Sequence, residues 1–324
     1  MVTAPSATMK SARYQSLLDT IGDTPLVKLQ RMSPNTDVAI WVKLEGQNPT
    51  GSVKDRIARA MIDAAHADGS LKPGQTILEP TSGNTGLAIA LIGRLTGHPV
   101  RCVMPESVSV ERRELLSFFG AEVELSPGET GSNGAVRMAK EMYEADPSVF
   151  MPMQYENAAN PGAHYETTGP EIYRDCPEIT HFVAGLGTGG TLTGVGRYLK
   201  EQDPNIKIVA AAPHPGDLVQ GLRSLEEGYI PPVLDESVLD GRIMVDSRTS
   251  FAVVKRLLEE EGIFAGISCG AAIRAAQRAA ERIETGSIVV LLADGGWKYL
   301  STGLWNREYD DIAGDEEIEG KIWW

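Results

Sequence analysis

The sequence has 324 residues, with 44 acidic and 30 basic side chains and a formal net charge of −14 at pH 7. Its length allows a sizeable buried core, and an apolar share of 42% is typical of globular proteins rather than disordered or fibrous ones. The acidic balance argues against nucleic acid as a partner, because no Lys/Arg-rich stretch is present to neutralise phosphates. Apolar runs are too short to cross a bilayer, so we expect no membrane partner.

The spacing of the cysteines and histidines indicates the cellular compartment of the protein and whether it binds a metal. Cys102, Cys176 and Cys269 are an odd number and lie far apart, which fits a reducing compartment and no structural zinc. The five histidines show no ligand spacing, so no metal site is predicted. Residues 1–11 have no apolar segment typical of a secretory signal. We therefore expect a cytoplasmic protein.

Short β-branched runs alternate with longer segments of helical periodicity along the chain. The predicted strands are 38–44, 76–79, 100–104, 122–125, 181–185, 207–211 and 287–292. The predicted helices are 54–68, 85–96, 110–119, 133–144, 192–201, 251–261 and 271–283. Gly97, Gly120 and Gly262 each follow a predicted helix, as C-terminal caps do.

Several predicted strands are apolar on both faces, such as 207–211 and 287–292. This pattern is typical of parallel strands covered by helices on both sides. Combined with the alternation of strands and helices, it predicts a doubly wound α/β fold. Composition gives only a weak indication of domain division, because no low-complexity linker interrupts the chain.

The first loop that stands out delivers a lysine to the start of a helix. Lys54 follows Gly51-Ser52-Val53 and begins the predicted helix 54–68. The positive end of a helix dipole disfavours the protonated amine, which helps to provide a nucleophile. The alternative is an ordinary exposed lysine in a first helical turn.

The second loop, Thr81-Ser82-Gly83-Asn84-Thr85-Gly86, connects a predicted strand to a helix. Its small and polar residues bring backbone N–H groups and hydroxyls into one concavity. Such a concavity suits a carboxylate. A well-capped helix start is the alternative interpretation.

The third loop is rich in glycine and follows the strand 181–185. Gly185 to Gly190 formally satisfies GxGxxG, but a dinucleotide site also needs an acid at the end of the next strand. That strand ends in Ala210-Ala211-Ala212-Pro213, without an acid. The loop therefore favours a single phosphate at a helix N-terminus.

A lysine amine, a carboxylate cradle and a phosphate cradle together indicate a specific cofactor. Pyridoxal phosphate needs a lysine for its Schiff base and a binding loop for its phosphate. An amino-acid substrate brings the carboxylate. The three loops together are much more specific than each alone, and they predict a pyridoxal 5′-phosphate enzyme acting on an amino acid.

With these motifs, the sequence resembles the cysteine synthase family of β-replacing pyridoxal phosphate enzymes over residues 14–304. Within the family it is most similar to the actinobacterial cysteine synthase B type, the O-phosphoserine sulfhydrylases. The resemblance is carried by segments 21–27, 48–56, 81–86, 154–160, 167–172, 187–191 and 266–270, and the subtype by 264–270, 297–303 and 319–324.

The resemblance implies a fold type II architecture, like the tryptophan synthase β-subunit, with two doubly wound α/β domains in a homodimer. The larger domain would comprise 14–45 and 157–304, the smaller, mobile one 46–156, and an acidic tail would follow at 305–324. Lys54 would carry the cofactor, Asn84 would bond its 3′ oxygen, and Ser268 would face its pyridine nitrogen. The phosphate would lie on Gly187, Thr188, Gly189, Gly190 and Thr191, and the substrate carboxylate on Thr81, Ser82, Thr85 and Gln154.

Three positions need comment. Ala158 and Ala212 depart from residues common in the family, but neither is an expected catalytic position. Ser268 offers a neutral hydroxyl where a carboxylate would keep the pyridine nitrogen protonated, so the ring is a weaker electron sink and suits elimination of a good leaving group. The alternative for Ser268 is an N-cap of the predicted helix 271–283.

The choice of substrate depends on Arg223, which matches the position of an arginine in the phosphoserine-using type. A guanidinium binds two phosphate oxygens at once. The alternative is a solvated arginine near Glu226 and Glu227.

The implied activity makes L-cysteine from O-phospho-L-serine and a sulfur donor, through an aminoacrylate intermediate. The donor would be a small thiocarboxylated carrier protein or sulfide. O-Acetylserine sulfhydrylase, serine/threonine dehydratase and a catalytically idle relative are the alternatives.

The C-terminus suggests a further hypothesis. An acidic stretch precedes Trp323 and Trp324, and exposed tryptophan pairs are seldom without a role. The tail would fold over the mouth of the site and exclude water. A dimer contact, a frayed end and a merely solvated tail are the alternatives.

Overall fold

The computed structural model describes residues 13–81, 83–106, 108, 110–217, 219–302, 305, 306 and 309. Two sequence predictions lie outside these residues. One is the assignment of Ser82 to a carboxylate site, and the other is the hypothesis for the tail with Trp323 and Trp324.

The described strands form two sheets. They are β1 (Leu26–Lys28), β2 (Val38–Leu44), β3 (Ile77–Pro80), β4 (Val100–Pro105), β5 (Ala121–Ser126), β6 (His181–Gly185), β7 (Lys207–Ala212), β8 (Gly241–Met244) and β9 (Gly286–Leu292). The larger sheet has the order β1-β2-β9-β6-β7-β8, and the smaller has the order β3-β4-β5. All pairings are parallel except that of β1 with β2. These sheets confirm the predicted α/β class with its mainly parallel strands.

The described helices lie between these strands. They are α1 (Lys54–Asp68), α2 (Asn84–Thr96), α3 (Val110–Phe118), α4 (Gly131–Ala145), α5 (Ala159–Ala163), α6 (Gly169–Asp175), α7 (Gly190–Gln202), α8 (Ser247–Glu261) and α9 (Ile267–Ala280). A π-helical turn, His164–Thr168, joins α5 to α6, and a 3₁₀ segment, Gly296–Thr302, follows β9. Among the described residues no helix has the length and apolar character needed to span a membrane.

Both sheets are covered by helices on two faces. In the larger sheet, Val183 and Val290 pack with α8 and α9, whereas Phe182 and Val289 pack with α6 and α7. In the smaller sheet, one face packs against α1 and α2 and the other against α4. This two-sided burial is the physical reason that the predicted strands are apolar without alternation.

Some elements differ from the sequence predictions. The strands β1 and β8, the helices α5 and α6 and the π-helical turn were not predicted. Helix α9 begins at Ile267, with Gly266 as its N-cap, rather than at residue 271. Ser268 therefore lies inside the first turn, and the interpretation of Ser268 as an N-cap is wrong. The glycines at positions 97, 120 and 262 do follow helices, each with a positive φ.

The sheets take their strands from different parts of the chain. Strands β3 to β5 fall between residues 77 and 126, and the others come from before residue 45 and after residue 180. The domain boundaries themselves, 14–45 with 157–304 and 46–156, stay a prediction.

A buried group of four charges, which we call the ion cluster, fixes the start of α1. It comprises Lys43 on β2, Glu45 just after it, Arg56 on α1 and Glu171 on α6. Arg56 donates two hydrogen bonds to each carboxylate, at 2.7 and 2.9 Å to Glu45 and at 2.7 Å twice to Glu171. Lys43 Nζ lies 2.7 Å from Glu171 Oε2.

The two positive and two negative charges of the ion cluster balance. Removing one member would leave a buried charge without its partner and would cost folding free energy. Burial alone would raise the pKa of Glu45, but Arg56 and Lys43 outweigh burial and hold that pKa below its usual value. The pKa of Glu171 falls to about 2 because the bonds and charges of Arg56 and Lys43 overcome burial. Both carboxylates are therefore ionised at neutral pH.

We expect Arg56→Met to lower the free energy of unfolding by about 3–5 kcal/mol, because it leaves buried carboxylates without their partner. Urea denaturation followed by circular dichroism measures this loss. The control is Arg59→Met on the same helix, which breaks only an exposed pair with Asp63 and should cost less than about 1 kcal/mol. Equal losses in the two variants would contradict a structural role for the ion cluster.

Candidate active site

A cavity of about 480 Å³ lies where loops from both sheets converge. Its volume is in the range of small-molecule sites. Eight residues that the sequence predicts as functional line it: Lys54, Thr81, Asn84, Thr85, Gln154, Gly187, Thr188 and Ser268. A smaller recess of about 40 Å³ shares Lys54, Gly187, Thr188 and Ser268 with the cavity and adds Gly189 and Thr191. The structure thus brings the three predicted loops together.

Lys54 is the first residue of α1, as predicted, and two contacts hold the chain that leads to it. Val53 N donates to Ala293 O at 2.8 Å. Thr50 donates through its backbone N to Asp55 Oδ2 at 2.7 Å and through its hydroxyl to Asp55 Oδ1. Burial lowers the pKa of Lys54, and the carboxylate of Asp294 opposes this shift. Burial thus shifts Lys54 toward the neutral, nucleophilic amine relative to an exposed lysine.

Thr81, Thr85 and Gln154 form one side of the cavity. Thr85 Oγ1 donates to Gln154 Oε1 at 2.8 Å. Thr81 Oγ1 accepts from the backbone N of Gly86 at 3.2 Å and of Gly83 at 3.3 Å, which closes the loop onto itself. Hydroxyl and amide groups here can hold a carboxylate next to the N-terminus of α2.

The glycine loop forms another part of the cavity lining. Gly189, with φ = 88°, is the N-cap of α7. The backbone N–H groups of the first turn of α7 have no acceptor within the helix and point out of its N-terminus. A Cβ on Gly190 would lie 2.0 Å from Asn160 Oδ1, and one on Gly187 would lie 2.8 Å from Gly221 O. The loop therefore needs glycine to approach its neighbours, and its exposed N–H groups suit an anion.

Two buried side chains that the sequence did not single out support this loop. Asn160 Nδ2 donates to Gln154 O at 2.7 Å and to Thr188 Oγ1 at 3.2 Å. His164 Nε2 lies 3.1 Å from Thr191 Oγ1. Burial, followed by the charge of Arg56, lowers the pKa of His164 to about 3, so its imidazole is neutral. His164 begins the π-helical turn, and such turns are frequent at functional sites.

A second group missed by the sequence analysis follows β9. Asp294, Trp297, Lys298 and Tyr299 line the cavity, as does Arg112 on α3. Burial lowers the pKa of Lys298 to about 8, although Asp294 and Asp55 oppose this. The segment 297–303 carried part of the family resemblance, but no spacing in the sequence connects it with Asn84, more than 200 positions earlier.

Arg223 does not line the cavity. Its half-buried guanidinium lies over two tyrosine rings, 5.4 Å from the centroid of Tyr155 and 4.8 Å from that of Tyr229. Tyr155 lines the cavity, so Arg223 contacts a residue of the cavity wall without lining the cavity itself. Its backbone N donates to Leu186 O at 2.7 Å, which attaches it to the glycine loop.

The fold and this cavity define a class: an α/β enzyme whose site combines a lysine amine with two anion cradles. The sequence pattern of the family described as "Pyridoxal-phosphate dependent enzyme" matches residues 17–295. The chain belongs to this family.

Among its relatives, a cysteine synthase of Staphylococcus aureus is 45% identical over 94% of this chain and all of that protein. Cysteine synthase B of Salmonella typhimurium is 43% identical over 91% of this chain and 97% of its own.

Two solved structures are also similar to this chain in both fold and sequence. The structure of an O-ureido-L-serine synthase has a TM-score of 0.86 at 41% identity and covers 94% of this chain and 100% of its own. That of cysteine synthase from Entamoeba histolytica has a TM-score of 0.87 at 34% identity, covering 99% and 97%. The protein is thus a pyridoxal phosphate enzyme of the cysteine synthase family, which confirms the family resemblance stated from its motifs. The resemblance to the O-phosphoserine sulfhydrylase type stays a prediction.

The described residues fit that cofactor. The recess at the glycine loop offers backbone N–H groups and the hydroxyls of Thr188 and Thr191 as donors for a phosphate. The larger cavity, which Lys54 and Ser268 both line, has a volume that can hold a pyridine ring. Ser268 supplies a neutral hydroxyl rather than a charge.

A buried carboxyl group, Glu79 on β3, underlies the carboxylate cradle. Its exposed fraction is 1%, and burial raises its pKa to about 8 although the backbone N–H groups of Met153 and Gln154 oppose this. Met153 has a positive φ of 58°, uncommon for a side chain of its size. Glu79 therefore contacts the turn that presents Gln154.

Glu79 should make stability depend on pH. Because its pKa is higher in the folded chain than in the unfolded one, its stabilising contribution is complete below about pH 4.5 and is lost as pH rises toward 8. We expect Glu79→Gln to gain stability relative to the parent over this interval, by up to a few kcal/mol. Urea denaturation at pH 5 to 8.5 measures the difference, with exposed Glu144→Gln as the control. A constant difference across this range would contradict the expectation.

Proposed function

We propose that this enzyme makes L-cysteine from O-phospho-L-serine by β-replacement. The observation that carries the proposal is Lys54, a lysine with a lowered pKa between a carboxylate cradle and a phosphate cradle. Pyridoxal phosphate, when bound, withdraws electrons from the α-carbon of the amino acid, which makes the α-proton removable and lets a β-substituent leave.

The cofactor would be held by residues already described. Gly187, Thr188, Gly189, Gly190 and Thr191 bind its phosphate with backbone N–H and hydroxyl groups. Neutral His164 orients the hydroxyl of Thr191. Asn84 would donate to the 3′ oxygen. Ser268 would offer the ring nitrogen a neutral hydroxyl rather than a negative charge.

Lys54 would serve as both the attachment point and the base. Its Nζ would take the α-proton of the bound amino acid and would later return a proton to the same carbon. Burial supports this role because it favours the neutral amine. Thr81, Ser82, Thr85 and Gln154 bind the substrate carboxylate and orient the α-proton toward Lys54.

Arg223 would receive the phosphate that leaves the β-carbon. Its guanidinium lies against Tyr155, a residue of the cavity wall, and carries the charge and shape that a phosphate requires. A specific observation also favours the alternative substrate, O-acetyl-L-serine: Arg223 lies outside the cavity lining, against two aromatic rings.

We further propose a homodimer, and a thiocarboxylated carrier protein or sulfide as the sulfur donor.

Lys54 should be the lysine joined to the cofactor. We expect borohydride treatment of the yellow holoenzyme, followed by peptide mass spectrometry, to find the reduced cofactor on Lys54. Lys298 is an internal competitor, because it is a second lysine with a lowered pKa in the same cavity. A label on Lys298, or none at all, would overturn the role of Lys54.

The substrate proposal is tested by kcat/KM for phosphoserine and acetylserine in the parent and in Arg223→Ala. A charge-assisted contact contributes about 1.5–3 kcal/mol, or about one to two decades in specificity. We expect Arg223→Ala to lose about 10- to 100-fold with phosphoserine and little with acetylserine. Arg242→Ala, a partly exposed arginine on β8, is the control. If Arg223→Ala uses phosphoserine as well as the parent does, the assignment of Arg223 is wrong.

A further inference from the structure

The side-chain amide of Asn84 is held from both ends. Its Nδ2 donates to Asp294 Oδ2 at 2.8 Å, and its Oδ1 accepts from Lys298 Nζ. An ionised carboxylate only accepts hydrogen bonds, and an ammonium only donates them. The two ends of an amide are otherwise nearly equal in shape, so these two charged partners decide which end is which.

Asp294 is itself fixed. Its exposed fraction is 3%, and Oδ2 also accepts from Tyr299 OH at 2.7 Å. Its backbone forms an isolated β-bridge with Ser52, which lies two residues before Lys54 in the chain. Its backbone carbonyl accepts a hydrogen bond from Gly266 N at 3.0 Å. The carboxylate therefore stands on a rigid segment after β9 and cannot follow Asn84 if the amide turns.

We propose that Asp294 and Lys298 are positioning residues that fix the amide of Asn84 so that it presents an N–H donor to the cofactor. Asp294 uses one of the two Nδ2 hydrogens and leaves the other for a ligand in the cavity that Asn84 lines. The inference rests on the proposed role of Asn84 toward the cofactor's 3′ oxygen. An amide turned by 180° would instead direct a carbonyl oxygen at that oxygen and repel it.

Asp294→Asn removes the discrimination, because an asparagine side chain can donate as well as accept. Lys298→Met removes the donor at the other end while it keeps an unbranched apolar stem. We expect each change to weaken cofactor binding about 5- to 20-fold, measured by equilibrium dialysis of the holoenzyme against known cofactor concentrations. The absorption band of the bound cofactor should shift in the same variants, since the 3′ oxygen belongs to its chromophore.

A double-mutant cycle separates positioning from direct contact. In an Asn84→Ala background, where no amide remains to be oriented, Asp294→Asn and Lys298→Met should change cofactor affinity by less than about twofold. Lys200→Met, which breaks an ion pair with Asp240 on the outer side of α7, is the control for loss of a lysine. Two independent variants keep the test usable if Asp294→Asn does not fold.

The outcomes divide between the two proposals. Losses that persist in full in the Asn84→Ala background would overturn the positioning role, because Asp294 and Lys298 would then act without Asn84. If Asn84→Ala alone leaves affinity and absorption unchanged, the role of Asn84 in the proposed function fails, whatever the other variants do. The inference is supported if Asp294→Asn and Lys298→Met lower cofactor affinity only when Asn84 is present.

Discussion

The position of the active-site lysine depends on a buried ion cluster. Arg56 lies two residues after Lys54 on α1, and its guanidinium bonds to the carboxylates of Glu45 and Glu171 at the same time. Since one carboxylate follows β2 and the other lies on α6, these bonds attach the first turn of α1 to the larger sheet. Burying charges is costly, and it is tolerated here because each is paired and hydrogen-bonded.

From this fixed point, the remaining parts of the site come from two separate sheets. Thr81, Asn84 and Thr85 follow β3 of the smaller sheet. The glycine loop follows β6 of the larger sheet and leads into α7, and Ser268 lies on α9, which covers that sheet. In parallel sheets the loops after the strands meet at one edge, which is where ligands bind in doubly wound folds. Two such edges face one cavity, so one of them can hold a carboxylate while the other holds a phosphate.

Sequence reasoning succeeded where local chemistry decides the structure. Helix α1 was predicted with its observed bounds, because apolar residues recur at helical spacing between Lys54 and Asp68 and Gly69 ends the helix. The apolar strands β6, β7 and β9 were predicted for a similar reason. The short elements around Pro161 and Pro170 were not, since five to seven residues give too little periodicity. Strand β1, with three residues, exists only through its pairing with β2.

The residues of the candidate site also divide into those that the sequence predicts and those that only the fold brings together. The three loops were visible as motifs because each is contiguous in the sequence. Asp294 and Lys298 were not, since they reach Asn84 only through the chain fold, and Asn160 and His164 lie on elements that the sequence did not reveal. The direction of Arg223, over two tyrosine rings rather than into the cavity, follows from its neighbours in space and not from its neighbours in the chain.

The hydrogen bond between Asn84 and Asp294 connects the fold to the candidate site. Asn84 begins the helix after β3, whereas Asp294 follows β9, so this bond joins the smaller sheet to the larger one inside the cavity. Lys298 adds a second link between the same two parts of the chain. Any displacement of one sheet against the other must therefore change the surroundings of Asn84. Its amide is thus the point at which the geometry of the fold and the chemistry of the site are coupled.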